Sequence, residues 1–319
     1  MKRVIVLSLA LLMVISAVAL ADGVFSAFKS GVGARALAMG GAFVAVADDA
    51  TAVCWNPAGL AQLNDTRITG MSTDLFGMGA THQFVGATTT FSNIGIGLGW
   101  ERVSSDNSNL VNVIDDGPTS RNESAIIGTL ATNIMDIGLA GANVKYYMAD
   151  SSFGPSASGF GFDLGLLVKL GDMFTIGVNA KDLGNSKITE EPDSSKPAGT
   201  DVTTFSVNGV YTAGLAMSLV DNKLVLATDV DFDGTNLGDV HIGVEFKVID
   251  ELALRGGVVL TNEFQDTYFS AGAGINVAGL YVDAAYILNE EVGNTLVLSA
   301  EFSLGSLLGE SEEEAPATE

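Results

Sequence analysis

The sequence predicts an all-β protein: a closed antiparallel transmembrane β-barrel of about fourteen strands, with a short helical N-terminal hatch in the lumen. Three observations predict it. From Thr66 onward the residues alternate with period two between an oily row and a small, polar or charged row, the mark of strands with two different surroundings. Charged residues make up only 17% of the chain, against about a quarter in ordinary soluble domains. The links between alternating segments are sorted by parity, tight after even-numbered strands and longer after odd-numbered ones, as when turns lie at one membrane face and loops at the other.

Residues 1–21 carry Lys2 and Arg3, an apolar run from Val4 to Leu20, and an Ala19-Leu20-Ala21 cleavage site. This is the pattern of a cleaved signal peptide, with Asp22 as the mature N-terminus. No cysteine follows the cut, which weakens a lipoprotein reading. No second apolar run of about 18 residues exists to make a spanning helix.

Residues 22–62 form the hatch or plug segment. Gly31 to Ala61 is Ala/Gly-rich, lacks strand alternation and ends in Asn56-Pro57-Ala58-Gly59-Leu60. Pro57 excludes helical geometry at Asn56, whose side chain can bond nearby backbone, and Gly59 is read as permitting a sharp reversal. Ala36, Met39, Gly40, Phe43 and Ala47 fit one face of a short helix.

Residues 63–305 form the barrel. Strands are expected near 66–76, 81–91, 94–103, 123–133, 136–149, 158–170, 173–183, 205–219, 223–232, 238–248, 251–260, 267–276, 278–288 and 294–305. The last is the clearest, with Leu296, Leu298, Ala300, Phe302 and Leu304 opposite Thr295, Val297, Ser299, Glu301 and Ser303. Hydrocarbon cannot solvate unpaired backbone groups, so an oily outer face requires a closed sheet. The charges opposite the oily rows then face the lumen: Glu101, Asp163, Asp229, Asp231, Glu245, Arg255, Asp283 and Glu301. They must pair together, meet water or meet the hatch, and Arg35 is placed to pair with Glu101, Asp229, Asp283 or Glu301. Residues 306–319 hold the acidic run Glu310-Ser311-Glu312-Glu313-Glu314 and read as a disordered tail.

Composition and motifs exclude other classes. Fifteen Lys+Arg against 38 Asp+Glu give a net charge of −23, which repels nucleic acid. Cys54 stands alone, so no intramolecular disulfide forms. His82 and His241 are the only histidines, and no nucleophile elbow or phosphate-cradling glycine loop is present, so neither an enzyme nor a cofactor is expected. Asp229, Asp231 and Asp233 before Gly234 resemble the opening of a calcium loop, but Val240 stands where a bidentate Glu belongs, and no metal site is assigned.

Gly33 to Ala50, followed by Trp55-Asn56-Pro57-Ala58-Gly59-Leu60, resembles the N-terminal signature of the FadL-like outer-membrane proteins, most closely their PorV/PorQ branch. His241 to Glu245, Leu252 to Gly257, Ser270 to Ile275 and Val282 to Tyr286 resemble that branch too. The resemblance implies a fourteen-stranded outer-membrane barrel whose N-terminal segment folds inward, with Arg35, Asn56, Pro57 and Ala58 as hatch residues. It implies either passage of a hydrophobic small molecule, as in the fatty-acid transporters, or protein export and surface attachment with secretion-system or surface proteins as partners. Outer-membrane lipid surrounds it in both cases. A soluble exported β-structured binding protein is the reading outside this superfamily. The chain departs from the transporters in its shorter N-terminal segment, and from many outer-membrane proteins in lacking a terminal aromatic residue.

Overall fold

The computed structural model describes residues 26–308 apart from 76, 78, 108–118, 135–137, 152–153, 191–202, 234–235, 262–266 and 290–292. The leader, Asp22 and the acidic run Glu310 to Glu314 therefore lie outside the described residues, as does most of the 104–122 loop.

The wall begins with β1 (Arg67–Leu75), β2 (Ala80–Phe91), β3 (Ile94–Asn107), β4 (Thr119–Ile134), β5 (Gly138–Ser151), β6 (Gly154–Leu170) and β7 (Phe174–Lys181). A short pair follows, β8 (Ser186–Glu190) and β9 (Thr204–Val207). The wall resumes with β10 (Val210–Leu219), β11 (Leu224–Asp233), β12 (Asn236–Ile249), β13 (Leu252–Leu260), β14 (Thr267–Val277), β15 (Leu280–Leu288) and β16 (Thr295–Ser303). Fourteen of these close into an antiparallel barrel: β1 pairs with β16, β5 with β6, and β7 with β10. At the seam, Arg67 stands opposite Ser303 and Thr73 opposite Val297.

The alternation sets which row faces out. Leu296, Leu298 and Phe302 are 54%, 54% and 43% exposed, whereas Val297 and Glu301 between them are at 0% and 6%. Ile94, Ile96, Leu98, Ile242, Phe246, Leu254, Phe269 and Val282 are likewise exposed on other strands. Such an outward apolar band is what lipid requires. Tight turns close one end, and at 278–279 both Ala278 (φ 50) and Gly279 (φ 82) take the left-handed conformation that matches the twist of a two-residue hairpin.

Two details correct the sequence reading. The stretch 184–204 is not simply a loop: β8 continues β7 after a break at 182–185, pairing Lys187 to Glu190 with Phe160 to Ala157 of β6, and β9 returns along β8 into β10. The break has a cause. Asp182 takes φ 50 and turns its carboxylate inward to accept from Lys145 Nζ (2.8 Å), Tyr147 OH (2.8 Å) and Ser186 Oγ (2.7 Å). Nor is loop length sorted strictly by parity. β5 and β6 run on until only 152–153 separate them, with Asp150 bonded to Ser156 beyond the expected ends, and β11 and β12 run on until only 234–235 do.

Residues 31–63 lie inside the barrel and form its core. Val32, Ala34, Ala38, Met39, Ala42, Phe43, Ala47, Ala52, Val53, Asn56 and Ala58 have no exposed surface. The helix is shorter than expected, Ala34–Ala38, because Gly40 (φ 66) and Gly41 (φ 79) end it. Met39, Phe43 and Ala47 are therefore buried from successive turns instead of one helical face. A second helix, Ala52–Trp55, leads into a 3-10 turn, Pro57–Gln62.

Candidate functional site

A segment with so little regular structure leaves backbone donors and acceptors without internal partners, and in a buried place those must be satisfied. The wall supplies them. Asp229 Oδ2 accepts from the backbone N–H of Phe43 (2.7 Å) and of Val44 (2.8 Å). Glu301 Oε2 accepts from Ala50 N–H at 2.9 Å, and Ser299 Oγ from Ala34 N–H at 3.1 Å. Asn143 Nδ2 donates to Val53 O (2.8 Å), Asn179 Nδ2 to Trp55 O (2.6 Å) and Ser270 Oγ to Ala38 O (2.9 Å). His241 Nδ1 lies 2.7 Å from Gly40 O.

The Asn56-Pro57-Ala58 turn is fixed in the same way. Asn56 is extended (φ −157), as a residue before proline prefers. Its Oδ1 accepts from Ala58 N–H (3.2 Å), and its Nδ2 donates to Val44 O (2.9 Å) and to Leu166 O of β6 (3.1 Å). Gly59 is needed for proximity and not for a reversal: a Cβ there would sit 2.0 Å from Ala47 O.

Arg35 forms a chain of ion pairs, though not with the carboxylates expected. Its Nε and Nη2 donate to Glu245 at 2.8 and 2.9 Å, and Nη1 contacts Asp48 and Asp49. Arg255 Nε donates to the same Glu245 (2.6 Å), and its Nη1 to Asp283 (2.7 Å). Sequence periodicity sets which wall residues face inward, but not the height at which an irregular segment meets them. Burial opposes charge on Arg35, and the carboxylates of Asp48, Glu245 and Asp49 outweigh it, raising the guanidinium above its ordinary range. The other lumen charges have separate partners: Glu101 with His82 (2.8 Å), Asp163 with Lys145 (2.7 Å), and Asp231 with Thr212 (2.6 Å) and His241 (3.3 Å). Asp229 and Asp231 thus serve protein donors, the Asp233 side chain lies outside the described residues, and no group able to hold a metal occurs among those described.

The wall glycines that face this segment are not marked by any sequence motif. A Cβ on Gly257 would sit 2.1 Å from Gly40 N, on Gly177 2.4 Å from Val44 O, on Gly243 2.5 Å from Met39 O, on Gly141 2.3 Å from Pro57 C and on Gly165 2.1 Å from Asn56 Oδ1. Gly95, Gly97 and Gly99 make the same room for Leu60 and Val53. The signal was readable: these three occupy the inward parity of β3, opposite Ile94, Ile96 and Leu98.

The segment divides the lumen. Toward the turn end lies a charged chamber of about 250 Å³, bordered by Arg35, Asp48, Asp49, Arg67, Glu245, Arg255, Asp283 and Glu301. Toward the loop end lies a larger cleft of about 540 Å³ between segment and wall, lined by Leu37, Val44, Trp55, Leu75, Val210, Phe232, Tyr268, Ile287 and Val297, with Lys29, Lys181, His82, Asp231, Asp239 and His241 among its polar groups. Lys181 Nζ lies 5.2 Å from the Trp55 ring centroid, a cation–π contact at the floor of that cleft. On the segment's buried side, burial pushes the Cys54 thiol up, with the Glu101 carboxylate adding to the effect.

Solved structures share this architecture. The chain is similar to the toluene transporter TbuX of Ralstonia pickettii (TM-score 0.62, 14% identity, covering 86% of this chain and 98% of that one). It is similar also to the P. putida toluene transporter TodX (0.63, 14%, 86% and 99%) and to a FadL homologue of Pseudomonas aeruginosa (0.61, 13%, 85% and 98%). At such identities the likeness is one of fold. No family model matches the chain, and no curated protein matches it.

Proposed function

We propose that this chain is a non-enzymatic outer-membrane transport barrel of the FadL-like type, which admits a hydrophobic small molecule past a hatch formed by residues 31–63. The observation that carries this reading is the 540 Å³ cleft between segment and wall, where apolar side chains converge with a few polar ones, as in small-molecule sites. Barrels of the same fold that are named as toluene transporters support it. Arg35, Asn56, Pro57 and Ala58 hold the hatch in place, and the lumen charges form its seat.

The test is entry of a hydrophobic aromatic solute into proteoliposomes whose outer leaflet is lipopolysaccharide, with glucose as the polar comparison. Wild type should admit the aromatic solute and exclude glucose, and Leu37→Asp, which puts a carboxylate into the cleft, should abolish entry. Equal entry with both proteins sinks the transporter reading.

A second reading, the export-associated role of the PorV/PorQ branch, draws on the height of one side of the rim. β4 and β6 have 16 and 17 residues, and β8–β9 is added there, against 9 residues in β1 and β16. A tall polar rim suits a protein partner. Removing residues 186–207 would then abolish partner capture while leaving solute entry intact.

A further inference from the structure

We propose that the gap between His82 of β2 and Tyr147 of β5 is a binding slot for a flat, uncharged aromatic ring, filled in this structure by the chain's own Phe28. The proposal rests on the conduit reading above and names the place where the passing molecule is recognised.

Phe28 belongs to a single 3-10 turn, Ser26–Ser30, ahead of the buried segment. Its ring centroid lies 6.3 Å from that of His82 with 22° between planes, and 6.4 Å from that of Tyr147 with 20° between planes. Both fall in the range of offset stacking. β2 and β5 are three strand spacings apart, roughly 14 Å at about 4.8 Å each, so a ring that stacks on both occupies the space between them.

The surroundings decide the ligand's chemistry. The polar groups that flank the two rings have protein partners: His82 Nε2 with Glu101 (2.8 Å), Lys145 Nζ with Asp163 (2.7 Å) and Asp182 (2.8 Å), and Tyr147 OH with Asp182 (2.8 Å). What the slot offers a newcomer is ring faces and an apolar base, for Phe28 also packs on Ala125, Ala157, Ile188 and Val207. A charged group placed between the rings would find these partners taken.

The position is on the way in. Phe28 borders a small cavity of about 60 Å³, and Lys29, Gly31, Lys181 and Val210 line both that cavity and the 540 Å³ cleft. The two spaces are therefore neighbours. Behind it, Gly31 (φ 77) is a natural pivot, tied to Phe28 by one long backbone bond, Gly31 N–H to Phe28 O at 3.4 Å. A ring arriving from the cleft competes with Phe28 for the same two faces.

The experiment is direct binding of naphthalene to the folded full-length protein in detergent, followed by naphthalene fluorescence, with decalin as the saturated competitor of similar size. Because an occupied site weakens apparent affinity by the fraction that is vacant, Phe28→Ala should tighten naphthalene binding by about fivefold or more. Phe28→Trp should weaken it, and His82→Leu combined with Phe28→Ala should cancel the gain. If Phe28→Ala does not reach the folded, heat-modifiable form, Phe28→Leu removes the flat ring while retaining bulk. Equal affinity across these proteins, no binding by any of them, or an equal gain for decalin would overturn the slot. Failure of the conduit reading looks different: naphthalene binding would still follow residue 28 while entry into liposomes would not respond to Leu37→Asp.

Discussion

Replacing Asp229 by Ala measures what the wall contributes to holding the inner segment. Asp229 is fully buried, and one of its oxygens receives two backbone N–H groups of the segment, from Phe43 and Val44. Hydrogen bonds to a charged group are worth roughly 1.5–3 kcal/mol each, so Asp229→Ala should cost about 3–6 kcal/mol of docking. At about 1.4 kcal/mol per factor of ten, this is a hundredfold to ten-thousandfold rise in local opening. Asp229→Asn keeps one accepting oxygen and should lose about half as much, since neutral bonds contribute about 0.5–1.5 kcal/mol each. Amide hydrogen exchange reads the effect: Phe43 and Val44 should lose protection, while amides paired between β13 and β14 should not. Unchanged or slower exchange at Phe43 and Val44 would mean that burying the carboxylate costs as much as its bonds contribute. The claim that the wall is charged in order to hold the segment would then fail.

Gly257→Val should lower the temperature of the heat-modifiable transition, because its Cβ would meet Gly40 N at 2.1 Å and overpacking costs about 1–3 kcal/mol. Gly128→Ala, whose nearest neighbour would be 3.9 Å away, should leave the transition unmoved, and an equal fall in both would refute the spatial argument. Cys54, with its thiol pushed up by burial, should react slowly with maleimide in the folded barrel at pH 7.5 and rapidly after heat denaturation. Fast labelling of the folded form would show that the segment leaves the lumen.

The wall was legible because an apolar outer surface on one side and a filled lumen on the other impose period two on its strands. Leu296 to Leu304 alone carry that alternation, and the structure exposes Leu296, Leu298 and Phe302 as the pattern requires. Local backbone chemistry was legible as well: Asn56 before Pro57 is extended and bonds nearby backbone. What the sequence hid is the register between an aperiodic segment and a periodic wall. Arg35 meets Glu245 because Gly40 and Gly41 end its helix and set its height, and no spacing rule supplies that distance. The inner contact surface was legible only as the inward parity of Gly95, Gly97 and Gly99, and what that row meets was hidden. Glycine in a strand is readable as a weak strand former, but its use here is room for another stretch of backbone. The break at Asp182 was likewise decided by a long-range partner, Lys145.

The seam between β1 and β16 has a consequence for biogenesis. It joins residue 67 to residue 303, so the cylinder cannot shut until the final strand has been delivered, whereas the residues that fill it leave the ribosome first. Pairing across so long a separation is slow, and meanwhile a carboxylate such as Asp229 needs a partner. Residues 31–63 offer a mandrel on which the sheet can close, since their amides pair with Asp229 and, on the closing strand itself, with Glu301. A cylinder shut without its mandrel would enclose bare carboxylates and a stripe of empty glycine.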